Sequence, residues 1–181
     1  MKNNSLIKRI VYVALGAALI TVCSWISVPM TIPFTLQTFA VCLIAALLGW
    51  RHGLEAVVVY ILLGAVGLPV FSGFKGGIGA LLGMTGGYIV GFLFTALVVG
   101  LAADRLGRKI PVLAVSMVVG VLLCYAFGTV WFVRVYTASK GPITFLSALG
   151  MCVFPYLIPD AVKIALAVFL TGRLRRAVFK Q

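Results

Sequence analysis

Asp160 and Lys163 stand inside the otherwise apolar run Pro155-Tyr-Leu-Ile-Pro-Asp-Ala-Val-Lys163. Spaced three apart, they share one helix face. Each charge within a membrane span costs roughly 2.5 to 3.5 kcal/mol on insertion scales, so such groups face a partner, a cavity or a substrate. One reading is a structural ion pair that neutralises itself. The other is a binding site in which the carboxylate accepts hydrogen bonds and the ammonium donates them. Asp160 is one of only 3 acids in the chain, and Pro155 and Pro159 interrupt the helix just before it, which favours the second reading. Proline in a first turn sacrifices no helical hydrogen bond. Pro159 is therefore expected to open the last helix, with the pair in its first turn and facing a cavity lined by broken backbone.

The element that must hold this pair belongs to a membrane bundle. The chain has 181 residues, of which 63% are hydrophobic and 10% charged, against about 25% charged in soluble domains. No charge occurs between Arg9 and Arg51, a stretch suited to two spans. Hydropathy places six spans, at 9–27, 36–50, 54–68, 85–103, 110–133 and 144–172, the last broken near Pro155 and Pro159. The expected class is an all-α integral membrane protein, one six-helix domain over 1–181.

The net charge of +12 does not require nucleic acid, since no basic run or basic-aromatic motif accompanies it. Topology accounts for it. With the N-terminus inside, Lys2, Lys8, Arg9, Arg51, Arg105, Arg108, Lys109, Arg173, Arg175, Arg176 and Lys180 are cytoplasmic, whereas Lys75, Arg134 and Lys140 are external. Both termini are then cytoplasmic by the positive-inside rule. Although Ile20-Thr-Val-Cys23 distantly resembles a lipid-attachment site, apolar character continues to Met30, longer than a signal h-region, and the segment reads as the first span.

The external connection from Val28 to Thr38 is uncharged and holds two prolines, Pro29 and Pro33. It reads as a lid or a reentrant segment. Gln37, the lone carboxamide between Asn4 and Gln181, sits where this segment enters the second span, either as a ligand contact or as a partner for local backbone. The next connection, Leu68 to Gly79, is glycine-rich but lacks the Gly-Lys-Ser/Thr of a phosphate loop. Gly79, Gly83, Gly87 and Gly91 recur every fourth residue and predict one smooth helical stripe for close packing. Gly76 and Gly77 permit close approach of backbone. Ala14 and Ala18 form a second small-residue face, on the first helix.

Cys23, Cys42, Cys124 and Cys152 occur singly, with one histidine, His52, and read as small lipophilic residues rather than metal ligands. No nucleophile and base, carboxylate dyad or nucleotide motif appears, so enzyme activity is not expected and a transport cycle needs an ion gradient or a separate ATPase.

Five blocks in order, Ile32-Pro-Phe-Thr-Leu-Gln-Thr38, Gly64-Ala-Val-Gly-Leu-Pro-Val-Phe-Ser-Gly73, Gly79-Ala-Leu-Leu-Gly-Met-Thr-Gly-Gly-Tyr88, Tyr125-Ala-Phe-Gly-Thr-Val-Trp131 and Pro155 to Lys163, closely resemble the BioY family. That family comprises the biotin-specific S components of energy-coupling factor (ECF) transporters. The resemblance implies a protein of the prokaryotic cell membrane that captures biotin from outside and works with a transmembrane T component and two cytoplasmic ATPases, with no cofactor. It also implies that Asp160 and Lys163 bind the bicyclic head of biotin. Phe34, Phe71, Tyr88 and Trp131 fall in matching blocks and are candidates to pack its ring or valeryl chain, and Gln37 or backbone is the polar substitute where relatives use an asparagine. Lys75, Arg134 and Lys140 remain open as partners of the biotin carboxylate. Ala14 and Ala18 resemble the Ala-x-x-x-Ala face by which S components meet the T component. Two other readings stay open: a self-sufficient proton-coupled carrier using Asp160, and a structural subunit without ligand.

Overall fold

The computed structural model describes residues 2–30 and 32–178; Lys180, counted among the inward cations, lies outside them. The chain forms α1 Lys2–Trp25, a two-stranded antiparallel ribbon of β1 Ser27–Val28 and β2 Phe34–Thr35, α2 Gln37–Ala65, α3 Ile78–Leu82, α4 Gly86–Arg105, α5 Ile110–Lys140, α6 Phe145–Cys152, a 3-10 turn Phe154–Tyr156, and α7 Leu157–Val178. Among the described residues, 5 helical stretches are long and apolar enough to cross a membrane: Leu6–Trp25, Gln37–Ala65, Gly86–Arg105, Ile110–Lys140 and Phe145–Arg176.

The expected spans 36–50 and 54–68 both fall on α2, apart from Leu36 and residues 66–68 at its ends, with no loop between them. The chain turns instead at one residue, Gly49, whose φ of 77° and ψ of −178° are not helical. Two contacts show that the limbs 37–48 and 50–65 fold back on each other. Gln37 Nε2 donates to Tyr60 Oη at 2.5 Å, and a Cβ added to Gly53 would lie 2.8 Å from Ala45 Cα. In a straight helix residues 37 and 60 would be roughly 35 Å apart.

Side chains from the α4–α5 corner fasten this turn. Asp104 accepts from the Trp50 N–H at 3.0 Å, satisfying a free donor at the start of the second limb. Arg108 donates through Nε to the Ala46 carbonyl at 2.7 Å and through Nη2 to Asp104 at 3.1 Å. A Cβ on Gly49 would stand 2.3 Å from Asp104 Oδ2, and a branched residue at positive φ is strained as well. Gly49→Val is therefore expected to destabilise the fold by about 2 kcal/mol or more, read as a lower thermal unfolding temperature and a poorer monodisperse yield than Gly150→Ser, where a Cβ meets nothing within 4 Å.

The helix α2 is the hub, packed against α1, α4 and α7. The helix α1 reaches both limbs at Gly16, where a Cβ would stand 2.8 Å from Ala56 Cβ and 3.2 Å from Ile44 Cγ2. Ala17 and Ile20 bury themselves on that side, while Ala14 and Ala18 are exposed.

The glycine stripe is not one helix. Gly79 lies in α3, Gly83 takes an extended conformation (φ −73°, ψ −178°) after Leu82, and α4 starts only at Gly86. Fourfold spacing misled because its second half does serve helix packing: Gly87 admits the Trp131 side chain and Gly91 the Cys124 thiol, both from α5. The break in the last span also shifts. Backbone departs from helix at Val153 (φ −125°, ψ −56°), and α7 begins at Leu157, two residues earlier than Pro159 alone suggests. Pro159 still sits in the first turn, where its missing N–H costs nothing.

Candidate functional site

A cavity of about 700 Å³ lies where these irregular segments converge. Its walls come from the β1–β2 connection and the start of α2 (Ile32, Thr35, Gln37), the 66–77 connection (Phe71, Ser72, Lys75), α4 (Tyr88, Ile89, Phe92), α5 (Cys124, Tyr125) and the last span (Tyr156, Asp160, Lys163). The volume is within the roughly 300 to 1,000 Å³ of small-molecule sites.

Asp160 and Lys163 are the charged core. They are only 4% and 5% exposed, and Lys163 Nζ donates to Asp160 Oδ1 at 2.7 Å. The Tyr125 hydroxyl donates to the other carboxylate oxygen. On its far side the ammonium lies 3.9 Å from the centre of the Phe34 ring, a cation–π contact that lowers the cost of keeping it out of water. Desolvating two opposite charges is tolerable only with such additional partners. The pair still faces the cavity with N–H groups and lone pairs to spare, because an ammonium has three donors and a carboxylate about four acceptor sites.

The neighbouring polar groups are tied into the scaffold. Gln37 Oε1 accepts from Thr35 Oγ1 at 3.0 Å while its amide donates to Tyr60, and Tyr88 Oη lies 3.1 Å from Thr129 Oγ1. Tyr156 donates to the Ile32 carbonyl and stacks on Phe34 at 6.4 Å between centroids. The 3-10 turn before α7 thus pins Ile32 and Phe34 over the ion pair. The 66–77 connection is held from α1: Ser24 Oγ donates to the Val70 carbonyl at 2.5 Å, Trp25 Nε1 to that of Pro69 at 2.8 Å, and Trp25 stacks on Phe74 at 5.2 Å. Phe71 fits this connection against α2, its ring filling the space that Gly64 leaves open and meeting Tyr60 edge-on at 5.5 Å.

The residues expected from sequence separate into two groups. Asp160, Lys163, Gln37, Phe71 and Tyr88 line the cavity. Phe34 and Trp131 do not: Phe34 sits behind Lys163, and Trp131 donates its indole N–H to the Gly83 carbonyl at 3.0 Å, holding the α3–α4 break. Of the three open cations, Lys75 lines the cavity, whereas Arg134 and Lys140 do not. Gly76 serves close approach of backbone to backbone, its Cα side lying against the Leu68 carbonyl.

A family model described as the BioY family matches residues 1–180. The chain belongs to the BioY family. It is 39% identical over 170 residues to the biotin transporter BioY of Thermotoga maritima, covering 93% of this chain and 96% of that one. It is 38% identical over 169 residues to a probable biotin transporter BioY of Pyrococcus horikoshii, with coverage of 93% and 96%. The crystal structure of an S component for biotin from an ECF-type ABC transporter superposes with a TM-score of 0.85 at 27% identity, over 97% of this chain and 95% of that one. BioY proteins are transporters rather than enzymes, and the apolar helices make this member a multi-pass membrane protein.

Sequence reasoning missed Tyr125, Tyr156 and Thr35. Tyr125 opens the same block that yielded Trp131, but six helical residues turn the two side chains about 120° apart, so both cannot face one cavity. A phenol in an apolar span needs a partner for its hydroxyl, and Asp160 is the acid within reach, which is the signal that singles out Tyr125. Tyr125→Phe is expected to cost about 1.5 to 3 kcal/mol, as for a hydrogen bond to a charged group, seen as earlier thermal unfolding; an unchanged transition would show that the cavity's solvent replaces the phenol in full.

Proposed function

We propose that this chain is the biotin-capturing S component of an ECF-type transporter in a prokaryotic plasma membrane. What supports this most is the Asp160–Lys163 pair, buried yet facing a cavity of about 700 Å³ in a BioY-family fold. A carboxylate accepts from the two ureido N–H groups of biotin while the ammonium donates to the ureido oxygen, and both partners are held in place by Tyr125 and Phe34. Phe71 and Tyr88 supply apolar surface for the thiophane ring and valeryl chain, and Gln37 a further polar contact. Phe34 acts through Lys163, and Trp131 through the α3–α4 break. Lys75, exposed and on the cavity wall, meets the biotin carboxylate.

In this reading the two limbs of α2 count as separate spans, which makes one six-helix domain over 1–181 with both termini cytoplasmic. The Gln37–Tyr60 and Gly53–Ala45 contacts support that count. The β1–β2 ribbon and the 66–77 connection form the outer lid. Energy comes from outside the chain, from a T component docked on Ala14 and Ala18 and from two ATPases.

The test is calorimetric titration of biotin into the purified chain, free of partner subunits. Saturable binding without an ion gradient is expected. Absence of binding, together with biotin uptake by the chain alone in liposomes driven by a pH gradient, would replace this function with that of a proton-coupled carrier using Asp160.

A further inference from the structure

A second cavity, of about 350 Å³, opens at the other end of the bundle, lined by Tyr12, Leu47, Leu48, His52, Arg108 and Arg175. It is remote from the ion pair: Arg175 follows Lys163 on α7 by twelve residues, roughly 18 Å along the helix. Its lining contains two guanidinium groups and an imidazole but no acid. Nearby acids are already committed, Asp104 to the Trp50 N–H and Arg108, and Glu55 to Arg9. Lys8, Arg51, Arg105, Lys109, Arg173 and Arg176 belong to the same end of the helices, so the local field is strongly positive.

Arg108 is fixed before any ligand arrives. Its Nε is held by the Ala46 carbonyl and its Nη2 by Asp104, which leaves Nη1 to point a donor elsewhere without further ordering cost. Guanidinium forks match phosphate oxygens in geometry, and Leu47 and Leu48 place an apolar wall beside them.

We propose that this cavity binds a phosphate oxyanion, carried either by an anionic phospholipid headgroup or by a free phosphate. Arg175 and Arg108 grip the oxygens, and His52 adds a third polar contact. The site is independent of the outer cavity and of its ligand.

Arg108 also fastens the Gly49 turn, so Arg175 is the residue to change. Delipidated full-length protein is titrated with dioleoyl phosphatidylglycerol, dioleoyl phosphatidylcholine or inorganic phosphate, with bound adducts read by native mass spectrometry. Phosphatidylglycerol is expected to bind at least about fivefold more tightly than phosphatidylcholine, and Arg175→Gln to lower that affinity about fivefold, the effect of one basic residue at a lipid surface. Arg173→Gln, a neighbouring cation outside the cavity that lies over Phe169, should leave it unchanged. If inorganic phosphate binds with the same dependence on Arg175 and the glycerol lipid shows no preference, the free anion is the ligand of the same site. No preference for either phosphate source, or equal losses in the two variants, overturns the proposal; unchanged thermal unfolding of Arg175→Gln without lipid certifies that its fold is intact.

Discussion

Asp160→Ala is expected to weaken biotin binding by about 2 to 4 kcal/mol, roughly 30- to 1,000-fold in Kd. The size follows from what the substitution leaves behind. Lys163 is 5% exposed and, among the described residues, has a single carboxylate partner at 2.7 Å, so removing that partner strands a buried ammonium beside the Phe34 ring. The Tyr125 hydroxyl loses its acceptor too. Asp160→Asn keeps the shape and one acceptor but not the charge, and should also weaken binding. The double variant Asp160→Ala, Lys163→Met separates the causes, since it removes the stranded charge. If it restores folding stability but not affinity, the pair recognises ligand; if it restores both, the pair is a structural neutralisation and biotin is read elsewhere. Calorimetry and thermal unfolding on the same preparations supply both numbers.

Ala14→Trp and Ala18→Trp should abolish ATP-driven uptake and co-purification with a T component while leaving biotin binding by the isolated chain intact. Helices associate in lipid through close backbone approach, and an indole at either position holds a partner away. Both alanines are exposed, and the side of α1 that faces α2 is marked instead by Gly16, Ala17 and Ile20. An indole at 14 or 18 thus enters no internal space. Ala17→Trp is the contrasting variant: at 2% exposure, overpacking there should damage the fold and binding together. Loss of biotin binding by Ala14→Trp with assembly retained would mean that the exposed stripe serves the chain's own closure.

The charged core was legible because charge is so rare here. With 3 acids in 181 residues, one acid three positions from a lysine in an apolar run demands explanation, and the structure does bring those two side chains together on one cavity wall. The turn at Gly49 was not. Arg51, His52 and Gly53 lie between the expected spans 36–50 and 54–68, yet they belong to the first turn of a new helical limb, whose leading N–H, that of Trp50, is met by Asp104 from far along the chain. The α3–α4 break hid behind glycine spacing that suits a helix, because nothing local reveals that the Leu81 carbonyl will occupy the space over Gly86. Aromatic candidates were overcounted for a related reason. Membership of a block says which residues are near the site in sequence, while helical phase decides which face it, and phase turns Tyr125 inward and Trp131 toward the α3–α4 corner.

The single-residue reversal of α2 also has a kinetic side. Its limbs meet across 23 positions at the Gln37–Tyr60 hydrogen bond, whereas the contact that holds Ile32 near the ion pair joins it to Tyr156 across 124. Short closures form early and long ones late, since loop entropy must be met before a distant contact rewards it. The chain emerges from its ribosome N-terminus first. The α2 hairpin therefore has time to pack against α1 before α7 exists, and the vitamin-sized hollow acquires its charged floor only when the last helix enters the bilayer. A chain cut short before Asp160 would carry a packed hairpin beneath a cleft that keeps Gln37, Lys75 and Tyr125 but no acid, and ligand added during synthesis would act only on the final step.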